Sequence, residues 1–233
     1  MRATEDLFDR EDEYDAMLQQ GLRLTGEDKS YFLRGRLDLL SSLLPPGRPP
    51  RRVLDFGCGT GDTTAELARR FPTADVVGID TAERAVAHAQ EIHGSDRVRF
   101  EVLSAAPPDG AFDLCYVNGV FHHIPPDARP EALALIRAAL GLEGHLALFE
   151  NNPWNPGTRL VMSRIPFDRD AITISPREGV ALLRSHGFRV AHAPLHLFFF
   201  PSALRAFRFI EPRLRWVPLG GQYLLLATPT PGR

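Results

Sequence analysis

The sequence has little of what builds a disulfide-stabilised protein, a polyanion binder or a membrane span. Its 233 residues include only two cysteines, Cys58 and Cys115, and the formal net charge is −2. Cysteines this far apart form no metal-spaced pair and argue against disulfides, and the small net charge gives nothing to attract nucleic acid. The first residues lack the apolar core of a signal peptide, and no apolar run approaches the length of a membrane span. These absences predict a cytoplasmic protein with neither nucleic-acid partners nor integral membrane association.

The most informative stretch is residues 53–64, which read VLDFGCGTGDTT. An apolar run ends in Asp55, passes through Gly57, Gly59 and Gly61, and opens into a helix-forming segment. This order predicts a strand, a tight turn and a helix. Glycine lets the chain turn sharply and lets a ligand lie against bare backbone, and the following helix directs its free N–H groups at that ligand.

The glycine spacing separates two classes of ligand. A dinucleotide fingerprint reads G-x-G-x-x-G, whereas this turn reads G-x-G-x-G, with Asp62 and Thr63 predicted to cap the helix. The stretch resembles the first motif of the class I S-adenosylmethionine (SAM)-dependent methyltransferases, of the kind that act on small molecules. The resemblance implies SAM as the cofactor, which has no phosphate for the turn to hold.

Strands and helices alternate after residue 52, which predicts an α/β fold with a doubly wound, mostly parallel sheet. The predicted strands cover residues 52–56, 75–79, 98–103, 112–117, 145–150, 189–199 and 223–228. In the methyltransferase fold the last strand is antiparallel, so the resemblance implies a seven-stranded sheet of that kind. The predicted domains are an N-terminal helical cap and linker over residues 1–50, and a SAM-binding methyltransferase domain over 51–233. The cap either covers an edge of the sheet or forms a lid over the cofactor.

Ligands of open α/β sheets bind at the carboxyl ends of the strands, which is where the predicted cofactor contacts lie. Asp80 ends the second strand, where its carboxylate can accept both ribose hydroxyls, cap the next helix, or do both. Ser104 replaces an aspartate that the family often uses for the adenine amino group, so a weaker contact is predicted there. Arg34 and Arg36 are expected at the surface rather than at the cofactor carboxylate. The predicted cofactor-binding residues are Asp55, Gly57, Cys58, Gly59, Gly61, Asp80, Thr81, Ser104, Ala105 and Asn118.

Two adjacent histidines, His122 and His123, resemble a segment that follows the fourth strand in many small-molecule methyltransferases. Methyl transfer from a sulfonium needs alignment of the two reactants and, for a hydroxyl acceptor, removal of a proton. Imidazole titrates near neutral pH, so one of the pair is predicted to be the general base. Alternatively, one ring packs under the cofactor and the other caps the turn before Pro125. No metal site is predicted, because adjacent histidines cannot easily share an ion and the sequence shows no ligand cluster around them.

The segment after the fifth strand is predicted to contact the acceptor. Asn151 and Trp154 lie there, and the Trp154 ring either offers an apolar face to the acceptor or packs its own loop. The resemblance implies a small-molecule acceptor, with a hydroxyl oxygen of a sugar, polyketide or isoprenoid-type metabolite as the expected atom.

Two other functions stay open: a nicotinamide oxidoreductase on the same architecture, and a SAM-binding partner subunit without catalysis. Arginines and aromatic residues interleave over residues 205–216, which indicates either a solvated helix face or peripheral contact with an anionic membrane. The sequence makes no prediction of the oligomeric state.

Overall fold

A central β-sheet organises the protein. The computed structural model describes residues 25–103, 107, 109–168 and 170–231, so Ser104, Ala105 and the first 24 residues of the predicted cap lie outside the described residues. The strands are β1 (Arg52–Phe56), β2 (Asp75–Asp80), β3 (Val98–Val102), β4 (Phe112–Asn118), β5 (Leu140–Asn151), β6 (Phe188–Val190), β7 (Leu195–Leu197) and β8 (Gln222–Pro229). Their order is β3-β2-β1-β4-β5-β8-β6, and β7 also pairs with β8.

The mostly parallel α/β sheet with an antiparallel last strand is confirmed. Strands β1 to β5 pair in parallel, and β8 runs antiparallel to β5. The predicted strand over residues 189–199 is divided into β6 and β7, which both pair with β8. The ladder stops after the Ala191 N–H, which donates to the carbonyl of Leu226, and Pro194 in the gap has no N–H to continue it.

Helices cover both faces of the sheet, as the alternating pattern predicts. They are α1 (Lys29–Leu43), α2 (Asp62–Arg70), α3 (Glu83–His93), α4 (Arg129–Ala139), α5 (Pro156–Met162) and α6 (Pro176–Ser185). Apolar residues of α1, α2 and α3 share one buried cluster with the strands, and those of α4 and α6 share the other. The sheet therefore lies between two hydrophobic layers, and its carboxyl edge stays free to form a site.

Helix α1 packs through one face onto this core. Leu33, Leu37 and Leu40 are buried and recur at intervals of three and four residues. Arg36 lies on the same face and is buried, so the expectation of a surface position is wrong for Arg36, whereas Arg34 is exposed. Residues 45–50 form neither helix nor strand, and the division of the chain at residue 50 stays a prediction.

The segment between β7 and β8 is exposed. A 3-10 helix, Ser202–Arg213, leaves the rings of Phe207 and Phe209 mostly in solvent. Among the described residues, no helix is both long enough and apolar enough to cross a membrane.

Candidate active site

The turn between β1 and α2 is held by backbone hydrogen bonds. Gly57, Gly59 and Gly61 all have positive φ values, of 78°, 50° and 86°, as the glycine pattern predicts. The N–H groups of Gly57 and Cys58 donate to the carbonyl of Ile79 at the end of β2. The turn is therefore anchored to the neighbouring strand and not only to its own.

The start of α2 differs from the predicted cap. Gly61 is the N-cap in the left-handed conformation, and no side chain caps the helix. Asp62 is already the first helical residue, and its carboxylate accepts a 2.7 Å hydrogen bond from Lys29 Nζ at the start of α1. The capping role predicted for Asp62 and Thr63 is wrong, because the left-handed glycine already turns the chain into the helix.

Asp80 holds the glycine turn from the end of β2. Its Oδ2 accepts the N–H of Gly59 at 2.8 Å, and its Oδ1 accepts the N–H of Ala82 at 3.0 Å. A Cβ built on Gly59 would meet no atom within 4 Å, so the backbone beside Asp80 borders open space. Thr81, the next residue, is exposed.

A crevice of about 140 Å³ opens between α1 and the ends of β1 and β4. It brings together five of the predicted cofactor residues, namely Asp55, Gly57, Cys58, Gly59 and Asn118. Its lining also includes Lys29, Arg36 and Tyr116, which the sequence analysis did not assign to the site. The sequence places Arg36 on the same face of α1 as Leu33, Leu37 and Leu40, but it does not show that the charged end stays inside.

Asp55 is the buried acid under the crevice. Its side chain accepts a 2.6 Å hydrogen bond from the Thr64 hydroxyl. Burial raises the pKa of Asp55 to about 7, the nearby Asp80 adds to this rise, and the Thr64 hydrogen bond and Arg36 oppose it.

Asn118 and Arg36, two polar residues of the crevice, differ in whether their side chains have hydrogen-bond partners. Among the described residues, the buried Oδ1 of Asn118 has no hydrogen-bond partner. Arg36 Nε donates to the Tyr116 hydroxyl and Nη1 to Gln222 Oε1, each at 3.0 Å. Gln222 Nε2 in turn donates to Oδ1 of Asn151 at 3.1 Å, which places this predicted acceptor residue at the end of a polar chain that begins in the crevice.

The second predicted acceptor residue, Trp154, lies in the loop after β5. Its N–H donates to Asn152 Oδ1, and its side chain is exposed. The loop backbone is thereby fixed while the ring faces solvent.

The adjacent histidines lie in the turn after β4, with an acid on each side. His122 is buried, and its Nδ1 is 2.6 Å from Oε2 of Glu150. Asp168 Oδ1 lies 3.5 Å from His122 Nε2 and 3.4 Å from His123 Nε2. Burial opposes the charged form of His122, but Glu150 and Asp168 outweigh it and raise the pKa of His122 to about 10.

This cluster contradicts one of the two arguments against a metal site at the histidines. Asp168, which ends the short 3-10 helix Pro166–Asp168, joins His122 and His123 in a group whose ligand atoms all lie within 4.8 Å of one another. The expectation that no ligand cluster surrounds the pair is therefore wrong. The sequence carried no spacing signal for Glu150 or Asp168 as partners, because both come from elements far along the chain.

Part of the chain matches known methyltransferases in sequence. Residues 53–144 match the family model of a methyltransferase domain. The trans-aconitate 2-methyltransferase of Deinococcus radiodurans is 41% identical over 107 residues, which are 45% of this chain and 40% of that enzyme. The match spans less than half the length of this curated relative.

Solved structures are similar over most of the chain. The DhpI–SAH complex has 18% identity and a TM-score of 0.63, over 99% of this chain and 97% of that one. The Burkholderia thailandensis 1,6-didemethyltoxoflavin-N1-methyltransferase, with bound 1,6-didemethyltoxoflavin and S-adenosylhomocysteine (SAH), has 24% identity and a TM-score of 0.57, over 85% and 78%. Together with the sheet order, these similarities show a class I, Rossmann-like methyltransferase fold, within which residues 53–144 match a methyltransferase domain.

Proposed function

We propose that this chain binds SAM in the crevice beside the glycine turn and methylates a small molecule, at a hydroxyl oxygen of a sugar, polyketide or isoprenoid-type metabolite. The observation that carries the proposal is the buried Asn118 Oδ1, which has no partner among the described residues and lines the crevice. A buried acceptor without a donor costs about 1–3 kcal/mol, and the amino group of a bound methionine moiety would remove that cost.

Other residues of the crevice, and Asp80 beside it, fit the rest of the cofactor. The open space at Gly59 would let a nucleoside lie on the backbone, next to the Asp80 carboxylate. Each Asp80 oxygen accepts one N–H from the chain and keeps lone-pair capacity for a ribose hydroxyl. Arg36, held by Tyr116 and Gln222, would pair with the carboxylate of the methionine moiety.

Bound in this way, SAM supplies a methyl group on a sulfonium whose departure leaves a neutral thioether. The chain itself must orient the acceptor and take its hydroxyl proton. We assign the proton to the predicted pair, with His123 as the member that contacts the acceptor, because its side chain is 19% exposed and that of His122 only 3%. His122 then acts as a positioning residue, and Asn151 and Trp154 contribute to the acceptor side.

The names of the relatives support a small acceptor. The Deinococcus enzyme is named for trans-aconitate, and the Burkholderia enzyme for a nitrogen of 1,6-didemethyltoxoflavin. A carboxylate or a nitrogen acceptor therefore belongs in the same assay as the hydroxyl compounds.

Calorimetry with SAM, SAH and NADH tests the cofactor assignment. We expect SAM and SAH to bind in the micromolar range, at about −8 kcal/mol, and NADH not to bind. NADH binding without SAH binding would establish the oxidoreductase alternative instead. Asn118→Asp keeps an acceptor at the same place, whereas Asn118→Leu removes it, so only the second variant should lose SAH affinity.

Turnover separates an enzyme from a partner subunit. SAH formation is measured over a panel of hydroxyl, carboxylate and ring-nitrogen acceptors. We expect His123→Ala to lower the rate with the active hydroxyl compound and to leave SAH affinity unchanged. Full turnover by His122→Ala and by His123→Ala would refute the assignment of the proton to this pair.

A further inference from the structure

We infer that His122, His123 and Asp168 form a binding site for a divalent first-row transition ion of the zinc type. Each residue contributes one ligand atom, and the three atoms lie within 4.8 Å of one another. Two imidazoles and one carboxylate are a donor set that suits zinc and its neighbours in the first transition row.

The separations inside the cluster are long for hydrogen bonds and match the spacing of ligands around an ion. Asp168 Oδ1 lies 3.5 Å and 3.4 Å from the two Nε2 atoms, beyond the usual N–H···O range of about 2.7–3.2 Å. Ligand bonds of about 2.0–2.2 Å in a tetrahedral arrangement separate neighbouring ligand atoms by about 3.4 Å. Each Nε2 atom therefore already stands at the distance from the Asp168 oxygen that a bound ion requires.

Glu150 supplies the outer contact that a metal-binding histidine needs. Its Oε2 is 2.6 Å from His122 Nδ1, and its Oε1 accepts the N–H of Phe121 at 2.8 Å. Because Glu150 accepts the Nδ1 proton, His122 offers Nε2 to an ion that displaces the proton on that nitrogen. Glu150 is in this proposal a positioning residue, and His122 Nε2 is the ligand.

The backbone around the cluster is tied together before any ion arrives. The N–H of Ile172 donates to the carbonyl of His122 at 2.8 Å. Arg129 donates through Nη2 to the carbonyl of Ile172 and through Nε to those of Phe121 and Ile124. These bonds join the histidine turn to the segment that follows Asp168, so the ligands keep their relative positions.

The charges and the access also suit a cation. Glu150 and Asp168 place two carboxylates around His122 in a nearly closed space, where an ion of charge +2 would balance them. The side chain of His123 is 19% exposed, so the ion has access from that side. An ion with three protein ligands keeps an open position there.

The role of the ion rests on the proposed function. In a methyltransferase of this kind, the acceptor oxygen would bind at the open position. A divalent ion lowers the pKa of a hydroxyl that it coordinates. With the ion in place, His123 is a ligand and not the base, so the acceptor proton leaves to solvent; the proton-accepting role given to His123 above then applies to the metal-free protein alone.

The test is a Zn²⁺ titration of the untagged full chain after dialysis against a chelator, without SAM or acceptor. We expect one equivalent to bind with micromolar or tighter affinity. Glu150→Gln should weaken binding by about 10–100-fold, as loss of an outer contact does, and Asp168→Asn should weaken it at least as much. His192→Ala, at an exposed histidine, is the matched control and should bind like the wild type.

Co²⁺ gives an independent readout. We expect visible d–d absorption for the wild type that is lost in Asp168→Asn, and Zn²⁺ should raise the unfolding temperature of the wild type and of His192→Ala but not that of Asp168→Asn. If Asp168→Asn does not fold, His123→Gln takes its place. Absence of saturable Zn²⁺ binding, or equal affinity in the wild type and the ligand variants, would overturn the site. Because SAH binding to the wild type is titrated separately, failure of the metal site and failure of the methyltransferase proposal remain distinguishable.

Discussion

The acid under the crevice should make the stability of the protein depend on pH. Asp55 is 2% exposed, and its pKa in the folded chain is about 7, against an ordinary value of 3.8. Between these two values the folded state binds more protons than the unfolded state. Stability is therefore fully present below pH 3.8 and falls as the pH rises through 7.

The magnitude follows from the two pKa values. One unit of pKa corresponds to about 1.4 kcal/mol, so a fully ionised Asp55 costs roughly 4 kcal/mol of unfolding free energy. Part of this loss has already occurred at pH 5, and roughly 2–3 kcal/mol of it falls between pH 5 and pH 8. Asp55→Asn removes the titration and keeps an oxygen that can accept the Thr64 hydroxyl.

Urea unfolding at several pH values from 5 to 8, without cofactor, measures the effect. The wild type should lose roughly 2–3 kcal/mol relative to Asp55→Asn over this range. Asp75→Asn, at an exposed acid at the start of β2, controls for the loss of one carboxylate and should follow the wild type. Parallel curves for the wild type and Asp55→Asn would show that burial of Asp55 does not set its titration, and would refute the reasoning.

Three further changes test the turn and the crevice. Gly61→Ala places a Cβ 2.7 Å from the Phe100 ring at a φ of 86° and should cost roughly 1–3 kcal/mol in urea unfolding; Gly47→Ala, with a similar φ and no atom within 4 Å, should cost less. Arg36→Gln should weaken SAH binding about 10–100-fold in calorimetry, whereas the exposed Arg34→Gln should not, and equal affinities would remove Arg36 from the site. Asp80→Asn should weaken SAH binding about 10-fold, through the ribose contact and the looser hold on Gly59, and unchanged affinity would argue against both effects.

Local pattern was enough to predict the sheet and the turn. The positive φ of the three alternate glycines and the place of Asp80 at the end of β2 follow from residues close together in the sequence. Short, continuously apolar runs mark the buried strands, and helix-forming segments alternate with them. The break between β6 and β7 was also within reach of such reasoning, because Pro194 interrupts the predicted strand.

What local pattern could not predict is contact between distant segments. The cluster of His122, Glu150 and Asp168 needs β4, β5 and the 3-10 helix to meet at one edge, and no spacing rule connects them. Arg36 was misplaced for a different reason. A charged side chain on a leucine stripe is expected to reach solvent, but here the Tyr116 hydroxyl and Gln222 satisfy it inside.

The polar chain from Tyr116 through Arg36 and Gln222 to Asn151 links four elements that are remote in sequence, namely β4, α1, β8 and the end of β5. Each link is a single hydrogen bond between side chains, so a guanidinium drawn towards an anion at one end must loosen or tighten its hold on the amide at the other. Binding of an anion beside Arg36 should therefore change how Gln222 holds Asn151 at the proposed acceptor side. We expect ordered binding to follow, with the acceptor held well only after the cofactor has arrived.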